Sequence, residues 1–431
     1  MTPAARLAAS IELLAAVDSA GKRPADAVAN AYFRDRRYIG SGDRRAVSER
    51  VWTIMRSKRR LTWWLHHINL RPGSRLFVAA SLMLEGWAIT GLKQSFSGGQ
   101  FAPSPLTGEE SSALSKLDGR TLIHPAMSDA EACEVPDWIV PSLQARFGDD
   151  LRLEMAAMDA PATLDLRVNL LSGTREQAIA ALASEGIEAK ISPISPWGLR
   201  VEGRRPVTTG AAFQSGLVEI QDEGSQLVAL IADARPDMRV VDWCAGAGGK
   251  TLALAMTMLN RGHIVACDVH DKRLEGAVKR LRRAGVHNVE RHLIEPGDKW
   301  AKRRAASFDR VLIDAPCTGT GTWRRNPDAR MRLRPEDLSE LVEKQHMILA
   351  TAAKLAKPGG RVIYATCSIL REENEDQIAR FLAENPEFRV LNLPDIWPGP
   401  AACPGQGPYL SLTPRLHNTD GFFSAVLERV A

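Results

Sequence analysis

Two cysteines, Cys317 and Cys367, stand where a thiol could do covalent chemistry. The first follows Asp314-Ala-Pro and the second follows Tyr364-Ala-Thr, each at the end of an apolar run with the length of a buried strand. A lone cysteine is most often a small buried hydrophobe. A pair at neighbouring strand ends, beside a ligand-binding turn, favours nucleophilic catalysis over packing. The turn is Cys244-Ala245-Gly246-Ala247-Gly248-Gly249-Lys250, set between a strand over 239–244 and a helix over 251–259. Its small residues let the backbone pass close to a ligand, and the helix N-terminus offers unpaired N–H groups. It is neither GxGxxG nor the phosphate-gripping GxxxxGK[ST], because its first glycine is Gly246. Asp268 closes the following strand, where a carboxylate can accept from both ribose hydroxyls. The pattern fits a nucleoside-type cofactor, with NAD and S-adenosylmethionine both open at this point.

The elements that must position these residues are legible as alternation. From about Gly216, strands are expected at 239–244, 263–269, 308–316, 360–367, 388–393 and 421–430. Helices are expected at 251–259, 271–284, 334–355 and 374–385. Apolar strands interleaved with amphipathic helices predict an α/β fold with a parallel sheet covered on both faces. Such a sheet gathers the candidate residues at the carboxyl ends of its strands. Upstream, a helix over 141–158, a strand over 164–170, a helix over 175–185 and short strands within 187–194 and 198–203 form a small α/β module. Residues before about 90 read as helices, with Val47, Val51 and Ile54 on one face. Trp52, Trp63, Trp64 and Trp87 are assigned to their core, with nucleic-acid stacking as the minority alternative. Residues 95–110, rich in Gly, Ser and Pro, are a loop or linker.

The chain has 431 residues, enough for two or three domains, and a net charge of +5. Residues 34–60 hold ten Lys or Arg against three acids, and 301–334 hold nine against three. Two such basic stretches favour a polyanionic partner. No apolar run is long enough to span a bilayer, and Glu12 and Asp18 interrupt the N-terminal apolar stretch, so the expected compartment is the cytoplasm. The six cysteines form no CxxC and have no histidine at ligand spacing, so neither a disulfide nor a metal site is expected.

The segments DWCAGAGGKT, DVHDKRL, DAPCTGTGTWRRNPD, YATCS and the late DGFF resemble the Nop/Sun (RsmB-like) family of RNA 5-methylcytosine methyltransferases. The resemblance implies three parts: a NusB-like helical domain over 1–135, a small α/β RNA-binding module over 136–215, and a class I (Rossmann-like) methyltransferase domain over 216–431. It implies S-adenosylmethionine as methyl donor, held by residues 244–250, Asp268, Glu295 and Asp314. The cysteine of TCS, Cys367, becomes the nucleophile, and the cysteine of DAPC, Cys317, assists proton removal and release. Carbon 5 of cytosine is too weak a nucleophile alone, and thiolate addition at carbon 6 makes it reactive. Asp314 would stabilise that adduct and Lys250 would add positive charge beside the thiolate. Arg324 and Arg325 are candidate RNA contacts. Small-subunit ribosomal RNA is the implied partner, with the protein acting as a monomer. Transfer RNA modification and a non-catalytic ribosome-assembly factor are the alternatives. The absent GxGxxG and the cysteine pair disfavour an NAD-linked enzyme. Two departures stand out: CAGAGGK replaces the family's CAAPGGK, and Glu295 stands where an aspartate is usual.

Overall fold

The computed structural model describes residues 1–21, 23–203 and 205–430. Its contacts divide the chain into two compact units, residues 1–160 with 323–334, and residues 161–322 with 335–431.

The first unit is helical. Pro3–Ser19 opens at Thr2, whose hydroxyl accepts from the Ala5 N–H, and Pro3 takes the first helical position. Helices Ala25–Asp35, Ser41–Met55, Lys58–His67 and Ser74–Leu84 follow. Leu13, Leu14, Val47, Val51, Ile54, Leu61, Leu65 and Leu82 meet in one core. Trp64 is buried there, whereas Trp52, Trp63 and Trp87 pack at its margin. The expected loop ends at Thr107, which caps the helix Gly108–Ser115 in a reciprocal box with Glu110. The helix expected over 141–158 is broken at Gly148, whose φ of +53° lies outside the helical range. It forms Val140–Phe147 and Leu151–Asp159, and both pieces belong to this unit.

Much of the basic charge is consumed inside this unit. Arg60 donates to Glu134 at 2.9 Å and to Asp159 at 2.6 Å, with Glu134 only 1% exposed. Arg330 reaches the other oxygen of Asp159 at 2.7 Å and lies over the Trp323 ring. Truncating one member of a buried ion pair leaves the other uncompensated. Arg60→Met is therefore expected to destabilise the protein by about 3–5 kcal/mol, read as a lower denaturant midpoint. Arg389→Met, at the exposed pair with Glu428, should barely move it.

The second unit contains two sheets. The smaller consists of β1 (Leu164–Val168), β2 (Ala189–Ile191), β3 (Gly198–Val201) and β4 (Val218–Ile220), ordered β2-β3-β1-β4 and antiparallel throughout. The helix Arg175–Ser184 covers it through Ala178 and Leu182, which pack with Leu166, Val168 and Leu199. The larger sheet contains β5 (Arg239–Asp242), β6 (His263–Asp268), β7 (Val289–Leu293), β8 (Phe308–Asp314), β9 (Ala356–Thr366), β10 (Phe388–Val390), β11 (Tyr409–Leu412) and β12 (Phe422–Arg429). Its order is β10-β12-β9-β8-β5-β6-β7, with β11 paired to β12.

Strands β5 to β9 are parallel, as expected, but β12 runs antiparallel to β9, β10 and β11. A parallel return needs a crossover of a dozen or more residues, usually a helix. Between β10 and β12 the only helices described, Leu393–Ile396 and Pro414–His417, have four residues each, and the strand enters reversed. The chain leaves β5 toward β6 and β7, then returns to the other side of β5 as β8. That reversal opens a crevice at the carboxyl ends of β5 and β8.

Candidate active site

The crevice is built first from the turn after β5. Gly246 and Gly248 have φ of +56° and +79°, so the turn needs residues that tolerate the left-handed region. Gly248 precedes the helix Gly249–Thr257. Asp268 at the end of β6 accepts from the Gly246 N–H at 2.9 Å and from the His270 N–H at 2.8 Å. Each carboxylate oxygen keeps a further lone pair for a ligand.

Two arginines outside the turn fix its other side. Arg280 donates to the Ala247 carbonyl at 2.8 Å. Arg167 of β1 donates to the Gly249 carbonyl at 2.8 Å and to Gln221 at 2.7 Å. Burial lowers the Arg167 guanidinium to about 10, still above neutrality. The small sheet thus contributes a charged anchor to the ligand turn. Sequence reading missed it, because an arginine within a strand over 164–170 carries no motif.

The register β8 to β9 sets Asp314 beside Ala365, so Cys317 and Cys367 lie just beyond the same edge. Their sulfurs are 3.5 Å apart. The Cys317 thiol is held well above its usual value, first by its hydrogen bond with Cys367 and then by burial. Beside them Lys250 donates to Asp314 at 2.7 Å. Burial pulls the Lys250 ammonium down, but the charge and hydrogen bond of Asp314, with Cys367 and Asp242 nearby, outweigh it. The net shift is upward, so the site holds a permanent cation.

A buried polar network locks the two cysteine loops together. Glu373, fully buried, accepts from the Thr318 N–H at 2.8 Å, the Thr318 hydroxyl at 2.5 Å and Gln345 at 2.9 Å. Asn374 accepts from the Thr366 hydroxyl and donates to the Ser368 carbonyl at 2.9 Å. The Gly321 N–H donates to the Cys367 carbonyl at 2.9 Å, and the Gly421 N–H donates to the Gly321 carbonyl. A Cβ on Gly421 would lie 2.7 Å from the Gly321 Cα, which explains the glycine in the late DGFF segment. Sequence reading overlooked Glu373 and Asn374, and only their closeness to Cys367 in the chain could have signalled them.

A cavity of about 640 Å³ joins these features. Cys244, Ala245, Gly246, Ala247, Gly249 and Lys250 line it, as do Asp268, Asp314, Cys317 and Cys367. His270, Arg273, Lys344 and Met347 also reach it, although no motif marked them. Gly248 shapes the turn without lining the cavity. Glu295 is exposed just past β7, and its neighbour Ile294 lines the wall instead. Arg324 and Arg325 are not gathered here. Arg324 is 2% exposed, its carbonyl accepts from Arg56 within the helical unit, and Arg325 is half-buried. Among the described residues no cluster of His, Cys, Asp and Glu could hold a metal, and no helix is long and apolar enough to cross a membrane.

Asp242, beneath the turn, is strongly disturbed by its surroundings. Burial pushes its carboxyl up to about 7, opposed by a hydrogen bond from the Thr251 hydroxyl at 2.7 Å. A carboxyl raised on folding stabilises fully below its ordinary value, and that stability is lost as pH climbs through the raised value. Asp242→Asn keeps an acceptor for Thr251 without the titration. The melting temperature of this variant minus that of the wild type should rise between about pH 4 and 7 and then level off. A difference independent of pH would contradict this reading of Asp242.

Comparison with known proteins agrees with this architecture. Residues 229–428 match the family model of 16S rRNA methyltransferase RsmB/F, and residues 135–208 match that of the Methyltr_RsmF/B-like, ferredoxin-like domain. The chain is 33% identical over 310 residues to a probable ribosomal RNA small subunit methyltransferase B of Synechocystis, covering 70% of this chain and 68% of that protein. It is 29% identical to a ribosomal RNA small subunit methyltransferase B of Salmonella paratyphi A, covering 90% and 91%. Among solved structures, that of PH0851 superposes with a TM-score of 0.78 at 27% identity, covering 99% of both chains. A methyltransferase homologue from Pyrococcus horikoshii gives 0.61 at 26%, covering 71% of this chain and all of that one.

Proposed function

The chain belongs to the 16S rRNA methyltransferase RsmB/F family, and we propose that it methylates carbon 5 of a cytosine in small-subunit ribosomal RNA with Cys367 as covalent nucleophile. The observation that carries this reading is the pair of sulfurs 3.5 Å apart beside the Lys250–Asp314 ion pair.

The donor set suits S-adenosylmethionine, the cofactor of this family, which when bound supplies an electrophilic sulfonium methyl. Asp268 offers carboxylate lone pairs for ribose hydroxyls, the helix start at Gly249 offers N–H groups, and about 640 Å³ is room enough for a nucleoside. The target base must leave its stack to bring carbon 6 to a thiol inside a cavity.

The Cys367 sulfur forms a bond to carbon 6, and the electron pair of the 5,6 double bond is displaced into the ring. Lys250 provides the positive charge that favours the thiolate. Asp314 holds Lys250 through their ion pair, and Lys250 is the cation that meets the negative charge developing on the ring. With Cys367 committed to carbon 6, the Cys317 proton passes to solvent water, and the Cys317 thiolate is the base left beside carbon 5. Once carbon 5 carries the methyl group, Cys317 accepts the carbon-5 proton, the double bond re-forms, and the carbon–sulfur electrons return to Cys367.

The two cysteines are separable by experiment. Cys367→Ala should abolish both methylation and the covalent RNA–protein adduct. Cys317→Ala should trap that adduct, seen as a species of retarded mobility on a denaturing gel. Bisulfite mapping of small-subunit ribosomal RNA from cells with and without the protein should show one protected cytosine disappear. An active Cys367→Ala enzyme would exclude the mechanism, and an unchanged bisulfite map would exclude the substrate.

A further inference from the structure

The helical unit displays an aromatic and imidazole stack that the catalytic reading does not use. The Trp63 ring stacks on His67, with 4.6 Å between centroids and 12° between planes, and on His124 at 4.8 Å and 28°. The two imidazoles are 5.5 Å apart. This is much closer than rings on opposite faces of one indole could be, so both lie over the same face. Among the described residues no ring stacks on the other face. Trp63 is half-exposed and borders a cavity of about 660 Å³.

A second cavity of about 270 Å³ adjoins the stack, and His67 lines both. Lys116, Arg120, His124, Trp64 and Ile68 complete its wall, and no carboxylate does. Lys116 and Arg120 are exposed and have no side-chain hydrogen bond or ion pair among the described residues. His124 accepts the Ala126 N–H on Nδ1 at 3.1 Å, which places its ring proton on Nε2 as a donor. The cavity therefore offers donors and no acidic acceptor, the composition that takes an anion. The cations of the larger cavity differ, because Lys58 is paired with Asp18 and Arg59 with Asp137. An anion site beside a flat ring matches a nucleotide, its phosphate among the donors and its base against the ring.

We propose that Lys116, Arg120 and His124 bind a phosphate of the RNA substrate, while Trp63 takes an adjoining unpaired base. The proposal rests on RNA being the substrate and adds a single-stranded contact on the helical unit. Each phosphate neutralised on a single strand contributes about 0.7 to the slope of log affinity against log salt.

The test titrates the full chain with a short fluorescein-labelled single-stranded RNA of mixed sequence, followed by anisotropy across a salt series. The double variant Lys116→Ala/Arg120→Ala should bind at least roughly tenfold more weakly, with a salt slope smaller by about 0.7. Trp63→Leu should weaken binding by roughly tenfold, and Trp63→Phe should recover most of the loss. Thermal melts and S-adenosylmethionine affinity report whether each variant is folded, and Lys116→Arg/Arg120→Lys supplies a variant that keeps both charges and should bind as the wild type does. A double variant with wild-type affinity and slope overturns the site. If such a variant also methylates ribosomal RNA with an unchanged KM while the wild type is active, only this site fails. If the wild type neither binds RNA nor methylates it, the RNA reading fails and the site falls with it.

Discussion

Everything in the catalytic unit serves one constraint, that two sulfur atoms from different strand ends be held in contact. In the proposed reaction a nucleophile at carbon 6 and a base at carbon 5 would work on adjacent atoms of one ring, so they could not be far apart. Neighbouring parallel strands are spaced about 4.8 Å, which brings the ends of β8 and β9 to the required scale without fixing the loops beyond them. The loops are fixed by the Glu373 and Asn374 network and by the close passage of Gly321 against Gly421. A buried network of this kind is rigid only when its members are satisfied together. Glu373 accepts from three donors, which offsets the cost of burying its carboxyl.

The same edge of the sheet concentrates carboxylates, because β5, β6 and β8 all end in aspartate. The structure gives each a different task. Asp242 lies underneath and is driven toward neutrality by burial, Asp268 holds the turn and retains acceptor capacity, and Asp314 engages Lys250. The cation comes from the turn itself, so the residues that would meet a cofactor and those proposed to act on a base share one scaffold. Arg167 and Arg280 clamp the carbonyls of that turn from outside. A small sheet is thereby mechanically joined to the cofactor loop, and a change in one has a direct covalent and hydrogen-bonded route to the other.

Much of the catalytic unit was legible because its signals are local. The strands at 239–244, 263–269, 308–316 and 360–367 are apolar runs closed by polar residues, and all four appear close to their expected bounds. The short edge strand β7 escaped because Val289–Leu293 is half-exposed and carries Glu290, Arg291 and His292. The reversal of β12 is a matter of connection length, which periodicity does not report. At the site, motif residues such as Asp268, Asp314 and the cysteines converge on the cavity, whereas Glu295 points to a place where Ile294 supplies the wall. Glu373, Gln345 and Arg167 were illegible for one reason: each acts through a partner distant in sequence, and a residue type alone does not reveal its partner.

Charge shows the same limit of local reading in its clearest form. The basic segments 34–60 and 301–334 attract attention by count, yet Arg56, Arg60 and Arg330 are buried within the helical unit. Their guanidinium groups hold loops and carboxylates, as the Arg60–Glu134 pair and the Arg330–Asp159 pair show. The exposed cations at the Trp63 stack come instead from residues 108–124, where two basic residues face three acids. A count over a window measures composition, but a polyanion responds to charge that is both exposed and uncompensated. Lys116 and Arg120 meet those conditions, and the nearby Glu110 is engaged elsewhere, capping its helix and pairing with Arg75. Where a protein can grip a phosphate is therefore decided by which cations folding leaves without a partner.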